Sequence, residues 1–279
     1  MSWLIRFFTV VCLGAMFVLL SWSQPERVIE SKQTPIPIFP KEEGYHPLLV
    51  HIPGGRFLVG EVASRREEAH QDLGHRPRKA HISYDYLIMS TELSNRIASQ
   101  LKKEKLETEN LCMGDCPRSN ISWYDAVEYA NLLSEKTGLE TCYIIEKKRV
   151  RWPKGVACLG YRLPLEEEWE YAAKAGRSNV EENKMLNSIA WHKGNSLQRP
   201  HPIATREPNE LLLYDMLGNL SEWCWDRWDK SSKASQRQRT LRGGNWRSEL
   251  RELDAEHREV LEAKQRSYRS GVRFVRTLP

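Results

Sequence analysis

Cysteines are the residues of this 279-residue chain whose spacing is most suggestive of chemistry. Cys112 and Cys116 are separated by three residues, of which Gly114 is the middle one, and this spacing predicts a small loop closed by a disulfide. Cys142 and Cys158 bracket a charged, β-prone segment, as in a hairpin tied at its base. A disulfide that closes a loop of this size stabilises a fold by about 3 kcal/mol. The sequence therefore predicts two disulfides.

A zinc site is the alternative use of the same four thiols. Only one short Cys-x-x-x-Cys spacing is present, and an oxidising compartment favours disulfides, so we prefer the disulfide interpretation. Cys224 is then the odd thiol, and its place between Trp223 and Trp225 predicts a small, buried hydrophobic residue. None of the eight histidines has another histidine four residues away, which is the spacing of a helical metal site.

Residues 1–23 have the pattern of a secretory signal. Arg6 precedes an uncharged stretch over residues 7–20, and Ser21 and Ser23 are small residues at the positions that a signal peptidase reads. The chain is uncharged from residue 7 as far as residue 25, which is just long enough for an uncleaved anchor that is tilted or lies in a thinned bilayer. Either a signal peptide or an N-terminal membrane anchor places the rest of the chain outside the cytoplasm, in the periplasm or anchored facing it.

Residues 24–47 are predicted to be a proline-rich linker, and residues 48–279 one folded domain. Hydrophobic residues make up 40% and charged residues 28% of the chain, as in a globular protein. The formal net charge is only +5, and basic residues alternate with acidic ones. We therefore expect no nucleic-acid partner, because such binding needs basic residues concentrated on one face.

Two helices and several short strands are predicted to position these residues. Ser122 and Asp125 form a capping box at the start of the first helix, which Gly138 can end in the left-handed conformation. The second helix runs from about Glu166 to residue 175 and is closed by Gly176. Residues 81–89 alternate polar and apolar side chains, as in one half-buried strand. These elements indicate an α+β domain.

Motifs along the domain carry a resemblance to a known family. They are Ser-Trp-Tyr-Asp-Ala at 122–126, Gly-Tyr-Arg-Leu-Pro at 160–164, Glu-Trp-Glu-Tyr-Ala-Ala at 168–173, Leu-Tyr-Asp-Met-Leu-Gly-Asn at 213–219, Glu-Trp at 222–223, Arg-Gly-Gly-Asn-Trp at 242–246 and Gly-Val-Arg-Phe at 271–274. In this order they resemble the formylglycine-generating enzyme, or sulfatase-modifying factor, family over roughly residues 48–277. The resemblance implies a C-type-lectin-like fold, irregular, with short strands and two main helices, around a core that includes Trp169, Trp223 and Trp246.

Calcium is the cofactor that the resemblance implies. By position, its ligands here are the side chains of Asp215 and Glu222 and the backbone carbonyls of Gly218 and Leu220. Such a turn supplies the hard oxygens that calcium prefers. The alternative is that the two carboxylates only accept hydrogen bonds from nearby backbone amides. A second calcium site of the family, near residues 194–196, lacks an evident acidic loop here.

Copper is not expected, although family enzymes use it. They oxidise a substrate cysteine with Cu(I) held by two thiolates, the soft ligands that select this ion. The two positions fall near Ser248 and Leu253 here, and no cysteine follows Cys224. The resemblance therefore implies the family fold without its catalytic residues.

The sequence favours a noncatalytic, exported member of the family that acts as a binding or scaffold module for an envelope protein or peptide. Residues 247–269 replace the cysteine segment, are dense in Arg and Glu, and are predicted to form either a solvated face with a short surface helix or a partner-binding surface. One alternative function is a formylglycine-generating or related oxidase that acts on exported proteins or peptides. Another is a calcium-dependent, lectin-like ligand-binding protein.

Overall fold

The computed structural model of the chain describes residues 48–60, 78–105, 113–147, 149–175, 183–229 and 237–279. Its helices are α1 (Asn95–Lys102), α2 (Trp123–Lys136), α3 (Glu166–Ala173) and α4 (Asn183–Ile189). Its strands are β1 (Leu49–Ile52), β2 (Gly55–Val59), β3 (Arg78–Ile82), β4 (Tyr86–Met89), β5 (Ile144–Glu146), β6 (Arg149–Arg151), β7 (Ser221–Arg227), β8 (Gln238–Arg242), β9 (Arg258–Glu262), β10 (Ser270–Gly271) and β11 (Val275–Thr277).

Both predicted helices are present. At the start of α2 the Ser122 hydroxyl accepts a hydrogen bond from the Asp125 amide at 3.2 Å, and the Asp125 carboxylate accepts one from the Ser122 amide at 2.7 Å. Gly138 follows with a φ of +71°, as predicted. The α3 helix ends at Ala173, earlier than expected, because Ala175 already has a left-handed φ of +49°. Gly176, the expected end, lies outside the described residues.

Helices α1 and α4 were not predicted, because both have only two turns of chain. The α1 helix has eight residues, and the Ser94 hydroxyl caps it by accepting from the Ile97 amide at 3.3 Å. Of its residues only Ala98, Ser99 and Leu101 are buried, which is too short a stripe for a periodicity argument. Two main helices with two minor ones remain consistent with the α+β class.

The strands form small sheets. One has the order β1-β4-β11, a second has the order β10-β7-β8-β9, and two further pairs are β2-β3 and β5-β6. The single strand predicted over residues 81–89 is wrong, since the chain turns between β3 and β4 and enters two different sheets. All four residues of β4 are buried because it is the central strand of its sheet, so the polar–apolar alternation does not extend through it.

Large aromatic side chains fill the core, as predicted. Trp123, Trp169 and Trp223 are almost fully buried, and Trp246 is 9% exposed. Trp223 Nε1 donates to the Ile121 carbonyl at 3.1 Å, so its burial leaves no unpaired donor. These side chains supply the buried area that short strands cannot provide.

The Cys142–Cys158 disulfide is present and closes the segment that contains the β5-β6 hairpin. The zinc interpretation is therefore wrong for this pair. Cys116 is also disulfide-bonded, whereas Cys112 lies outside the described residues. Cys224 is a free, fully buried thiol, as expected from its tryptophan neighbours.

Residues 247–269 do not form the surface helix that their spacing suggested. They contain one 3-10 turn at Leu250–Glu252 and then strand β9. Leu253 and Ala255 are buried, so the segment is tied to the core rather than lying on it. No helix of the described residues is long and apolar enough to cross a bilayer, and residues 1–47 lie outside them.

Candidate functional site

The turn at Gly243 and Gly244 brings together the two positions at which the family was expected to hold copper. Both glycines have left-handed φ values, +91° and +69°. A methyl group added to Gly244 would lie 2.9 Å from Leu253 Cδ2 and 3.1 Å from Ser248 Oγ. Because both atoms contact one point, the side chains of Ser248 and Leu253 are neighbours.

Ser248 and Leu253 have structural contacts at this point. The Ser248 hydroxyl accepts from the Asn245 amide at 3.1 Å, and the Ser248 amide donates to the Asn245 carbonyl at 2.8 Å. Leu253 is 4% exposed and belongs to the hydrophobic core. A hydroxyl that closes a turn and a buried hydrocarbon replace two thiolates, and neither is a ligand for Cu(I).

The free thiol of Cys224 does not supply a substitute. It is fully buried, and burial raises the pKa of the Cys224 thiol well above its usual range. Since the thiolate is the metal ligand and nucleophile, burial disfavours both roles for this cysteine.

A cleft of about 350 Å³ opens beside the glycine turn. Asn245, Ser248 and Glu259 line one side of it. The Glu259 Oε1 atom accepts from Ser221 Oγ at 2.8 Å and from Asn245 Nδ2 at 3.2 Å, so this wall is fixed by hydrogen bonds. Trp228 lines the cleft too, and the Arg258 guanidinium lies 4.3 Å from its ring centre. The cleft is therefore polar and aromatic and is held by the core.

Buried acidic and basic side chains form a connected network next to the cleft, which Arg258 joins to the cleft wall. Arg258 makes a bidentate pair with Glu166, at 2.6 and 2.7 Å. Arg242 pairs with Glu170, and Lys174 bridges Glu170 at 2.7 Å to Glu256 at 2.6 Å. Opposite charges at hydrogen-bonding distance let Glu166 and Glu170 stay buried beside Arg258, Arg242 and Lys174.

A second cluster contains the residues expected to bind calcium. The Asp215 Oδ2 atom accepts from the Ala204 amide at 2.8 Å, and its Oδ1 atom is buried without a hydrogen-bond partner. Glu222 is fully buried and pairs with Arg273 at 2.7 to 2.9 Å, while Trp169 Nε1 donates to it at 2.7 Å. The alternative interpretation, in which both carboxylates only accept from nearby backbone amides, is therefore wrong for Glu222.

Glu92 completes this cluster, and sequence reasoning missed it. Its carboxylate accepts from the Leu220 amide at 2.9 Å and from Asn219 Nδ2 at 2.8 Å, so it holds the same turn. Burial, with the nearby charges of Asp215 and Glu222, raises the pKa of Glu92 well above its usual range. The only available signal was an acidic residue shortly after a strand and just before a helix cap.

This cluster combines buried carboxylates with backbone carbonyl oxygens that have no hydrogen-bond donor among the described residues. Burial raises the pKa of Asp215 to about 6. Glu92, Asp215 and Glu222 face the guanidinium of Arg273, and Arg206 also lies close enough to Asp215 to offset part of its charge. Across the described residues, the carbonyl oxygens of Gly218 and Leu220 accept no hydrogen bond. Asp215 and the two carbonyls therefore offer free oxygens of the kind that calcium prefers, whereas both oxygens of Glu222 are bonded to Arg273.

Within the described part of the chain, no group of three or more His, Cys, Asp or Glu side chains is arranged to hold a metal ion. The calcium ligand set expected from the sequence, with two carboxylates and two carbonyls, is not a group of that kind. No histidine cluster suggests a transition-metal centre among these residues either.

The glycine turn, the aromatic core and the buried Glu222–Arg273 pair define a domain of C-type-lectin-like fold with a polar surface cleft. The chain belongs to the family of sulfatase-modifying factor enzyme 1-like domains, whose model matches residues 37–278. This result confirms the family and the fold that the motifs suggested.

Similar proteins include bacterial and mammalian ones. The chain is 28% identical over 195 residues to "Chaperone protein LppX" of Paenibacillus barcinonensis, covering 58% of this chain and 70% of that protein. It is 26% identical over 239 residues to "Inactive C-alpha-formylglycine-generating enzyme 2" of Mus musculus, covering 72% and 74%. Among solved structures, "Treponema denticola variable protein 1" superposes with a TM-score of 0.70 at 26% identity, covering 82% and 95%.

Proposed function

We propose that this chain is a noncatalytic member of the family, a binding or scaffold module for an exported protein or peptide. The observation that carries the proposal is the pair of neighbouring side chains against Gly244, which are a serine and a leucine. Copper oxidases of this family need two thiolates there, and oxygen chemistry on Cu(I) has no soft ligands in a hydroxyl and a hydrocarbon. The fold keeps the cleft but not the residues for this reaction.

Two relatives support a noncatalytic role. One is named an inactive formylglycine-generating enzyme, and another is named a chaperone. Both names describe those proteins, and their similarity to this chain is 26% and 28% identity. A fold that binds a protein chain without oxidising it would suit both names. We therefore interpret the cleft beside the glycine turn as a binding site rather than an active site.

An extracytoplasmic location is part of the proposal. The Cys142–Cys158 disulfide supports it, since disulfides persist in oxidising compartments. The uncharged stretch at residues 7–20 supports export, with either cleavage or attachment to the membrane through the N-terminus. We place the domain in the periplasm or at the cell envelope.

Calcium is proposed as a structural cofactor of the turn that follows Asp215. The Asp215 carboxylate and the carbonyls of Gly218 and Leu220 would hold it, with Glu222 shared between the ion and Arg273. Its chemistry there is charge neutralisation, because it would offset the negative charge of buried carboxylates. We assign it no part in a reaction.

An oxygen-consumption assay tests the noncatalytic assignment. The purified chain is supplied with Cu(I), a thiol reductant and a cysteine-containing sulfatase peptide, beside an active formylglycine-generating enzyme as positive control. We expect oxygen uptake at the rate of a protein-free blank and no stoichiometric copper on the chain. Peptide-dependent oxygen uptake with bound copper would establish the oxidase instead, and calcium-dependent retention on a glycan array would establish the lectin-like alternative.

A further inference from the structure

The outer edge of strand β9 opens into the cleft. In the sheet of described strands β9 is terminal, and it pairs with β8 alone. Consecutive residues from His257 to Leu261 line the cleft. Successive side chains of a strand point to opposite faces of its sheet, so a cleft lying on one face would meet only every second one. The cleft therefore runs along the edge of the strand.

Contacts on the two sides of β9 agree with this placement. Arg258 points to one side, where it stacks on Trp228. Glu259 points to the other, where it meets Asn245 and Ser221. Trp228 and Asn245 both line the cleft. The cleft therefore passes around the outer edge of β9, from one face of the sheet to the other.

The backbone of Val260 is unpaired at this edge. The Ala263 amide donates to the Arg237 carbonyl at 2.7 Å, in the same register as the β8-β9 ladder. Hydrogen-bonded pairs alternate in an antiparallel ladder, so Leu261 and Glu259 bond to β8 and the N–H and C=O of Val260 point outward. Among the described residues, no group beyond β8 forms a hydrogen bond with them.

The rim of the cleft carries two exposed arginines that have no ion-pair partner among the described residues. Arg247 and Arg269 line the cleft and are exposed, and neither forms an ion pair with a described carboxylate. The two acids of the cleft are held in position by neutral donors, Glu259 as described above and Glu252 by the Glu249 amide at 2.8 Å. Tyr268, next to Arg269, is 69% exposed. Arginine and tyrosine are the side chains most enriched at protein interfaces.

From these observations we infer that the partner docks as an extended peptide segment that adds a strand to β9. Its backbone hydrogen-bonds to Val260, and an acidic side chain of the segment pairs with Arg247 or Arg269. The inference rests on the proposed function, since it names how the binding module recognises its partner. An unpaired strand edge is a template for such pairing, and the charged rim selects among segments.

Peptides selected from a random library on the wild-type chain provide the probe. We expect them to be rich in Asp and Glu and to bind as synthetic, C-terminally amidated peptides. N-methylation of single peptide amides should weaken binding about tenfold at every second residue and leave the intervening residues unaffected. A selection that yields no peptide, or a methylation profile without this period of two, would refute strand addition.

Variants of the chain test the same contacts from the protein side. Val260→Pro removes the outward N–H and should abolish binding, whereas Val260→Ala retains it and should bind within a fewfold of wild type. Arg247→Glu with Arg269→Glu should reverse the preference for acidic peptides, and Arg149→Glu, an exposed arginine outside the cleft, should not. Equal binding by Val260→Pro would refute the inference, and the methylation profile decides it if that variant does not fold.

The outcomes separate the two proposals. Peptides that bind the wild type but ignore both the edge and rim variants would end the strand-addition inference and leave the binding-module assignment in place. Conversion of a bound cysteine peptide to an aldehyde would end the noncatalytic assignment, whatever the binding mode.

Discussion

Replacing Ser248 and Leu253 with cysteine together should restore a Cu(I) site. Both side chains meet at Gly244, so two thiols introduced there would be neighbours on a rigid turn. Cysteine at both positions supplies the two soft ligands that this ion requires. The perturbation therefore asks whether the absence of sulfur, rather than a change of fold, removed the metal site.

The structure sets the cost of that double variant. Loss of the hydrogen bond from the Asn245 amide to the Ser248 hydroxyl costs about 1 kcal/mol. Shortening the buried Leu253 side chain leaves a cavity and costs about 2 kcal/mol. At roughly 2–4 °C per kcal/mol for a domain of this size, the Tm of the metal-free variant should fall by about 10 °C. Copper at a hundred times its Kd should recover about 2.7 kcal/mol.

Anaerobic competition against a colorimetric Cu(I) chelator, with reductant to keep the thiols free, measures the site. We expect one tightly held copper per chain in the double variant and none in the wild type or either single variant. The matched control is Ser248→Cys with Ala255→Cys, which places a second thiol in the same buried segment but away from Gly244. Equal copper binding by this control, or stoichiometric binding by the wild type, would refute the reasoning.

Three further predictions follow from named groups. Asp215→Asn should remove the calcium-dependent rise in Tm that addition of calcium after chelation gives the wild type, while Asp85→Asn, at an exposed site, should retain it. Reducing Cys142–Cys158, or replacing both by serine, should cost about 3 kcal/mol and lower the Tm by roughly 6–12 °C, measured by calorimetry. Burial and the neighbouring Asp254 raise the pKa of Glu256 to about 8, and outweigh Lys174. The stabilising contribution of Glu256 is therefore complete below pH 4.5 and is lost as the pH rises through about 8. The free energy of unfolding of Glu256→Gln, measured by urea titration, should rise relative to that of the wild type over this pH range. A difference between the two proteins that does not change with pH would contradict the raised pKa.

Features that depend on local sequence were predictable. The α2 helix follows from Ser122, Asp125 and Gly138, because caps and turns use short-range hydrogen bonds and backbone conformations. The hairpin tied by Cys142 and Cys158 follows from their spacing in the same way. The motifs also predicted the family and its fold. One of them places Gly243 in a turn, where the backbone has the left-handed conformation that glycine adopts most easily.

Features that depend on long-range contacts were not predictable. Glu92 reaches Leu220 across 128 residues, and no local pattern indicates such a partner. The 81–89 strand divides because β4 is buried between β1 and β11, an arrangement that only the complete sheet defines. The 247–269 segment has helical spacing, but burial of Leu253 and pairing of β9 with β8 outweigh that local preference.

The mass of a cysteine-containing sulfatase peptide is the most direct test of the noncatalytic assignment. The peptide is incubated with the wild-type chain, Cu(I), reductant and oxygen, and its spectrum is compared with that of a chain-free sample. A peptide mass identical to that of the chain-free sample, with the cysteine unchanged, is the predicted result. A peptide whose thiol has become an aldehyde would contradict the account.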